Sequence, residues 1–259
     1  MKRRLVRAIV LPALVLGAFG CGAKAQGATT QSTACKLTAT GDGKVAAVRD
    51  GRTLALDDGR ELRLAGVETV AGSRDALRQL ADGQTLRLER FGEGTDRYGR
   101  LIAFAYLPGA GGSLQEALLE QGHALVSARI GGKACAGGLL AAERGARAAK
   151  RGLWADPNSA PLSSENLPGL EAAAGHFALV EGRILSVRES GAVIYMNFGR
   201  RWTRDFTVTM LKRQQRLFAD AGVDVKQLEG RRIRVRGWIE RRGGPIVEEA
   251  APEQIELID

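Results

Sequence analysis

The chain has 259 residues, of which 44% are apolar and 26% are charged. At about 150 residues per domain, this length predicts one large domain or two small ones. The composition excludes a collagen, a wholly disordered chain and a multi-span membrane protein. The net charge of +9 is typical of a protein that binds nucleic acid, although several of these charges lie at the extreme N-terminus.

Residues 1–25 are typical of an export signal. Four basic residues lie within the first seven positions, and an apolar stretch over 8–19 follows. That stretch is too short to cross a bilayer of about 30 Å as a helix. A small-x-small cleavage site ends at Ala25. We therefore expect a periplasmic or secreted protein with no membrane-spanning segment in the mature chain; a lipoprotein anchored at Cys21 is the alternative.

Two cysteines, Cys35 and Cys135, would remain after removal of the signal. In an oxidising compartment such a pair is more often a disulfide than a metal or catalytic site. The bond would close a loop of about 100 residues and add about 4–5 kcal/mol to the free energy of unfolding. Two independent buried thiols are the alternative. His123 and His176 are isolated in the sequence, so it predicts no zinc site.

The elements that follow predict a first domain over 43–155. Short stretches alternate between apolar and polar residues and predict strands, and Ser73 and Ser113 are the expected N-caps of two helices. The predicted strands cover 44–49, 53–56, 61–64, 85–89 and 100–107, and the predicted helices cover 73–80, 113–121 and 138–150. Residues 26–42 are expected to form a flexible leader.

Residues 156–175 are rich in Pro, Ser and Gly and predict a linker between domains. The second domain is predicted over 176–259, with three strands, a helix and two or more further strands. This order predicts a small barrel of the oligonucleotide/oligosaccharide-binding (OB) type. The predicted fold class is thus β-rich α+β: a five-stranded OB-type barrel with three helices, followed by a second small OB-like β-barrel.

Several motifs of the first domain resemble, in order and spacing, those of the thermonuclease (staphylococcal-nuclease-like) family. They are Asp50–Thr53 (DGRT), Arg63–Thr69 (RLAGVET), Thr95–Arg100 (TDRYGR), Gln115–Gly122 (QEALLEQG) and Gly152–Trp154 (GLW). The resemblance covers 43–155 and implies a calcium-dependent enzyme that cleaves nucleic-acid phosphodiesters. In that family two carboxylates hold the metal, a glutamate activates water and two arginines neutralise the developing charge.

The resemblance implies that Arg63 and Arg100 are the two catalytic arginines and that Tyr98 lines the nucleotide site. Strand alternation places the side chain of Arg63 opposite to Leu62 and Leu64, away from the core. A pair of surface arginines in ordinary salt bridges is the alternative interpretation.

The acidic part of the family pattern is altered. Arg52 stands where the family has a metal-binding aspartate, Glu68 stands at the next ligand position, and Ala71 replaces the general base. A positive side chain at a ligand position repels calcium, and loss of the base alone costs about 10²–10⁴ in rate. We therefore expect calcium-dependent cleavage to be absent or reduced, and no cofactor.

In this interpretation Arg52 joins Arg63, Tyr98 and Arg100 in a pocket that binds nucleic acid or another phosphate-bearing ligand. The alternative is an active phosphodiesterase, in which Asp50 and Glu68 hold a repositioned calcium ion and Glu68 also takes part in catalysis. A third hypothesis is an envelope module that binds a protein or a glycan.

The second domain carries arginines interleaved with aromatic residues, a pattern typical of single-stranded nucleic-acid binding. The candidates are Arg201, Trp202, Arg234, Arg236 and Trp238. A solvated strand face balanced by glutamates is the alternative. On the third predicted helix, Glu143 can pair with Arg147 on what is expected to be a solvated face.

Overall fold

The computed structural model describes residues 35–92, 95–128, 130, 133–249 and 251–258. The predicted export signal, Cys21 and the first part of the predicted leader therefore lie outside the described residues. Within the described part, no helix is long and apolar enough to cross a membrane.

The first domain is built on a closed barrel. Its strands are β1 (Thr38–Val48), β2 (Thr53–Leu56), β3 (Glu61–Leu64), β4 (Val67–Thr69), β5 (Thr85–Arg90), β6 (Leu101–Tyr106) and β7 (Ala124–Val126). Five of them close in the order β1-β2-β3-β6-β5, with β3 and β6 parallel. The remaining two, β4 and β7, pair antiparallel. The predicted five-stranded barrel is confirmed.

Three helices accompany the barrel: α1 (Ser73–Ala81), α2 (Leu114–Glu120) and α3 (Lys133–Ala148). Ser113 caps α2 as predicted, since its hydroxyl accepts from the Glu116 backbone and the Glu116 carboxylate accepts from the Ser113 backbone. At α1 the N-cap is Gly72, with φ of 81°, rather than Ser73. The Ser73 hydroxyl instead accepts from the Val70 backbone and lies 2.7 Å from the carbonyl oxygens of Val70 and His123, which ties the turn before α1 to the chain before β7.

The disulfide between Cys35 and Cys135 is confirmed, and it joins the chain before β1 to helix α3. Helix α3 begins before the predicted position 138, because Cys135 and Ala136 pack in the core and outweigh the low helix propensity of the following glycines. Residues 38–42, predicted as leader, form the start of β1. Backbone pairing with β5 orders this segment, although it lacks apolar alternation.

The second domain consists of two sheets around one core that includes Met196, Phe206 and Phe218. Its strands are β8 (Leu162–Ser163), β9 (Phe177–Arg183), β10 (Ser186–Ser190), β11 (Val193–Asn197), β12 (Thr207–Leu211), β13 (Arg232–Trp238), β14 (Glu240–Arg242), β15 (Gly244–Glu249) and β16 (Ile255–Leu257). Its helices are α4 (Leu167–Ala172) and α5 (Gln215–Asp220). The sheets run in the orders β10-β11-β12-β15-β14 and β16-β13-β9-β8.

The segment predicted as a linker is folded against the second domain. It contains β8, which pairs with β9, and α4, whose Leu170 is fully buried in the second core. The residues that suggested a linker define these elements instead: Asn166 caps α4 and Pro168 lies in its first turn. Residues that form turns are common in linkers, but they also occur at the first turn of helices, as they do here.

Candidate phosphate-binding cleft

An open cleft of about 660 Å³ lies on one side of the first barrel. Most of the residues that the motifs single out line it. They are Arg52, Arg63, Glu68, Tyr98 and Arg100, and they are joined by Ser127, which the sequence did not indicate. The barrel thus brings together side chains from β3, β4 and the loops before β2 and β6.

Arg63 lies in the middle of β3, between Thr53 of β2 and Ile102 of β6. Leu62 and Leu64 are buried in the barrel core, so Arg63 faces outward, as its alternation predicted. Its guanidinium makes no hydrogen bond or salt bridge to any residue that the structure describes. Its donors are therefore available to a ligand in the cleft.

The electrostatic surroundings of Arg63 are unfavourable for a cation. Partial burial lowers its pKa, and the positive charges of Arg52 and Arg100 lower it further. Glu68 and Asp50 offset only part of this effect. Because a guanidinium stays protonated in proteins, the three arginines produce a positive electrostatic potential in the cleft. An anion bound there would reduce the repulsion between them.

Arg52 and Glu68 form an ion pair in the lining of the cleft. The Arg52 guanidinium donates to one carboxylate oxygen of Glu68 and, at 3.1 Å, to the carbonyl oxygen of Val67. Ser127 donates from its hydroxyl to the other carboxylate oxygen of Glu68, at 2.9 Å. Strand β4, held by its pairing with β7, places Glu68 between these two donors. Both oxygens of Glu68 are therefore engaged.

Arg100 is held by Asp96 within the turn before β6. Its Nε and Nη2 lie 2.8 and 2.6 Å from one carboxylate oxygen of Asp96, and the other oxygen accepts from the backbone of Tyr98 and Arg100. The hydrogen bond from Arg100 keeps the pKa of Asp96 below its ordinary value although desolvation raises it, and the same bond raises the pKa of Arg100. The turn and its cation are fixed before any ligand arrives.

Tyr98 projects from this turn and is 65% exposed. The guanidinium carbons of Arg97 and Arg100 lie 4.7 and 5.1 Å from its ring centroid. Arg97 also donates to the Tyr98 hydroxyl at 2.6 Å. An exposed ring with guanidinium groups beside it can stack a nucleic-acid base next to a bound phosphate.

Asp50 and Ala71 do not line the cleft; both are exposed. Asp50 accepts a hydrogen bond from the backbone of Arg52 at 2.8 Å and so shapes the turn that carries that residue. Across the described ranges, no group of three or more His, Cys, Asp and Glu side chains is arranged to hold a metal ion.

Two of the second-domain candidates are not available to nucleic acid, and their prediction was wrong. Arg236 is fully buried and donates to Glu143 at 3.0 and 3.1 Å and to Glu256. Arg234 donates to Glu181 at 2.9 and 2.5 Å. The pairing of Arg234 with Glu181 agrees with the alternative of a face balanced by glutamates, whereas Arg236 is buried and not solvated.

Glu143 was expected on a solvated face, and this prediction was wrong. Glu143 is fully buried and accepts from Arg236, from Arg147 at 3.2 Å and from the Val126 backbone at 2.6 Å. One signal could have revealed this: Glu143 lies four residues after Leu139, on the apolar face of α3. We call Glu143, Arg236 and Glu256 the buried ion cluster.

The remaining candidates lie at the surface of the second domain. Trp238 is 50% exposed and packs edge-on against Phe177, with ring centroids 6.2 Å apart. Arg201 and Trp202 lie in the loop between β11 and β12, and both are exposed. Their role in binding stays a prediction.

Comparison with models of protein families matches residues 70–156 to staphylococcal nuclease homologues. A search of curated proteins finds no match to this chain. The matched region contains the Thr95–Arg100 turn, helix α2 and the Gly152–Trp154 motif. Residues 70–156 thus match a staphylococcal-nuclease-like domain, and the closed five-stranded barrel is consistent with that fold.

Proposed function

We propose that the cleft of the first domain binds the phosphate groups of nucleic acid and that calcium-dependent cleavage is absent or strongly reduced. One observation carries the binding proposal: Arg63 faces the cleft without a partner among the described residues, between Arg52 and Arg100. Arg63 is partly buried, and the neighbouring charges of Arg52 and Arg100 repel its own.

A phosphodiester fits this arrangement for two reasons. A guanidinium binds two phosphate oxygens in a planar, bidentate geometry, and Arg63 has these donors free. In addition, an anion in the cleft lowers the repulsion between Arg63 and its two neighbouring cations. Tyr98, at the rim, provides a surface on which a base can stack.

The Arg52–Glu68 pair is the reason that we expect little calcium-dependent cleavage. Calcium takes six to eight oxygen ligands, and both oxygens of Glu68 are already bonded to Arg52 and Ser127. A cation at position 52 also repels the metal. Asp50, the other candidate carboxylate ligand, is exposed and does not line the cleft. Ala71 has no group that can deprotonate water. These residues do not fit the family's calcium ion, so no hydrolytic step is assigned to it.

The disulfide supports a location outside the cytosol. Disulfides persist in oxidising compartments and are rare in reducing ones. With the export signal predicted over 1–25, we infer that the mature protein is periplasmic or secreted.

A digestion and binding experiment on the mature protein tests this function. We expect single- and double-stranded DNA and RNA to remain intact with calcium, while gel shifts show binding at low salt that weakens as salt rises. The double variant Arg52→Asp/Ala71→Glu is expected to increase chelator-sensitive cleavage. A matched control is Arg60→Asp, because Arg60 lies outside the cleft and pairs with Asp58.

Two outcomes would contradict the proposal. Cleavage by the unmodified protein that a chelator abolishes, and that Asp50→Asn and Glu68→Gln each remove, would establish the active phosphodiesterase instead. Absence of any nucleic-acid binding at low salt would favour the envelope module that binds a protein or a glycan.

A further inference from the structure

A second cavity, of about 240 Å³, lies on the outer face of the sheet β10-β11-β12-β15-β14 in the second domain. Alternate residues of β11 and β12, such as Ile194 and Val208, point into the core and are fully buried. Their neighbours Tyr195 and Thr209 pair across the two strands and point the other way, into this cavity. None of the residues that line it belongs to the cleft of the first domain.

The cavity is recessed, although it lies on an outer sheet face. Thr207 and Thr209 line it and are each only 5% exposed. Trp202, from the loop between β11 and β12, also lines it and is 72% exposed. The lining thus combines an exposed indole and the Tyr195 ring with hydroxyl groups at the floor, which suits a flat ring with polar edges.

The loop that carries Trp202 has a defined shape. The carboxylate of Asp205 accepts from the Arg201 backbone at 2.8 Å, and the backbone of Arg204 donates to the Arg201 carbonyl oxygen at 2.8 Å. The loop also packs closely on the start of β15, because a Cβ at Gly244 would lie 2.7 Å from the carbonyl carbon of Arg204. Trp202 is therefore positioned over the cavity before a ligand binds.

The charges divide between the cavity and its rim. Arg242, in the lining, is neutralised by Glu240 at 2.9 Å and Glu248 at 3.5 Å. Three other arginines in the Trp202 loop are exposed, and their guanidinium groups have no ion pair or hydrogen bond to any described residue: Arg200, Arg201 and Arg204. The near-neutral cavity with its aromatic side chains suits a neutral ring. The three arginines beside it suit phosphate groups that are joined to that ring.

We propose that this cavity is a second nucleic-acid site, which takes one unpaired base of a single strand, while the arginines of the Trp202 loop bind the flanking phosphates. A base within a duplex is stacked on both sides and cannot enter, so the site selects single strands. Loss of stacking on one aromatic side chain is expected to weaken the affinity for the single strand about tenfold. This value lies within the range of effects that alanine substitutions of stacking residues have on affinity.

The experiment separates this site from the first cleft by using an Arg63→Gln background. Fluorescence anisotropy of a labelled thymidine homopolymer of about 12 nucleotides measures the binding that remains. We expect Trp202→Leu to weaken it about tenfold and Phe91→Leu to leave it unchanged. Phe91 is the control because it is an aromatic residue, 53% exposed, that lines neither this cavity nor the cleft of the first domain. Thermal melting of each variant verifies the fold.

The results distinguish the possible failures. Equal effects of Trp202→Leu and Phe91→Leu, or no effect of either, would overturn the second site. A Trp202→Leu variant that loses binding to a sulfated oligosaccharide but not to the homopolymer would also overturn it, since the ligand would be an acidic glycan. If instead Arg63→Gln alone binds as tightly as the unmodified protein, the function proposed for the first domain fails, whatever Trp202 does.

Discussion

The arginines of the first-domain cleft and those of the buried ion cluster have the same side chain but opposite surroundings. Arg63 faces a cleft without a partner among the described residues, whereas Arg236 is fully buried between Glu143 and Glu256. Their pKa values move in opposite directions. Burial lowers both, but at Arg236 the two carboxylates outweigh it and raise the pKa, while at Arg63 the neighbouring cations lower it further.

This difference separates two uses of a charge. Arg236 of β13 uses its charge in ion pairs with Glu143 of α3 and Glu256 of β16. The charge of Arg63 stabilises nothing that the structure describes and is available to a ligand. Variants of the two residues are therefore expected to affect different measurements.

The largest expected effect is the loss of stability in Arg236→Ala. It leaves Glu143 and Glu256 without their main counter-ion in a buried place, which lowers the free energy of unfolding by about 3–5 kcal/mol. Urea denaturation measures this loss. The control is Arg188→Ala, which breaks an exposed pair with Glu229 and costs about 1 kcal/mol or less. Similar losses in the two variants would show that the buried ion cluster contributes no more to stability than an exposed ion pair.

A smaller effect, on binding alone, is expected for Arg63→Gln. Removal of one phosphate contact reduces the magnitude of the slope of log K against log salt by about 0.7–0.9 and weakens binding several-fold. The free energy of unfolding does not fall, because a repulsive cation is removed. Arg234→Gln is the counterpart: it lowers stability and leaves the slope unchanged. An unchanged slope in Arg63→Gln would remove Arg63 from the binding surface.

The smallest effect concerns Glu249, which is fully buried near Arg236 and has no hydrogen-bond partner for either carboxylate oxygen within the described chain. Burial raises its pKa well above the ordinary value; Arg236 opposes this rise and Glu253 adds to it. The folded state thus keeps a proton that the unfolded state releases above about pH 4. This group contributes full stability below that pH and less as pH rises through its folded pKa.

Glu249→Gln removes this dependence. We expect the variant to melt at a higher temperature than the unmodified protein at about pH 8 and at nearly the same temperature at about pH 4. Melting curves over a pH series measure the difference. Parallel curves for the two proteins would mean that Glu249 is ionised in the folded state and that its burial has no influence on stability.

The sequence predicted those parts of the molecule that depend on neighbouring residues. Alternation located β2 and β3 and the outward direction of Arg63, and Ser113 as an expected N-cap located the start of α2. The sequence did not predict contacts between residues that are far apart in the chain. Arg236 and Glu143 are 93 positions apart, and alternation shows which way a side chain points but not what covers it. The contact of Ser127 with Glu68, 59 positions apart, had no sequence signal for the same reason.

The disulfide has a consequence for how proteolysis affects this protein. Cys35 and Cys135 are 100 positions apart, and the segment between them contains every strand of the first domain and helices α1 and α2. A single peptide-bond cleavage anywhere in that segment leaves both fragments covalently joined. A nicked molecule would therefore migrate as one species on a non-reducing gel and separate into two only after reduction.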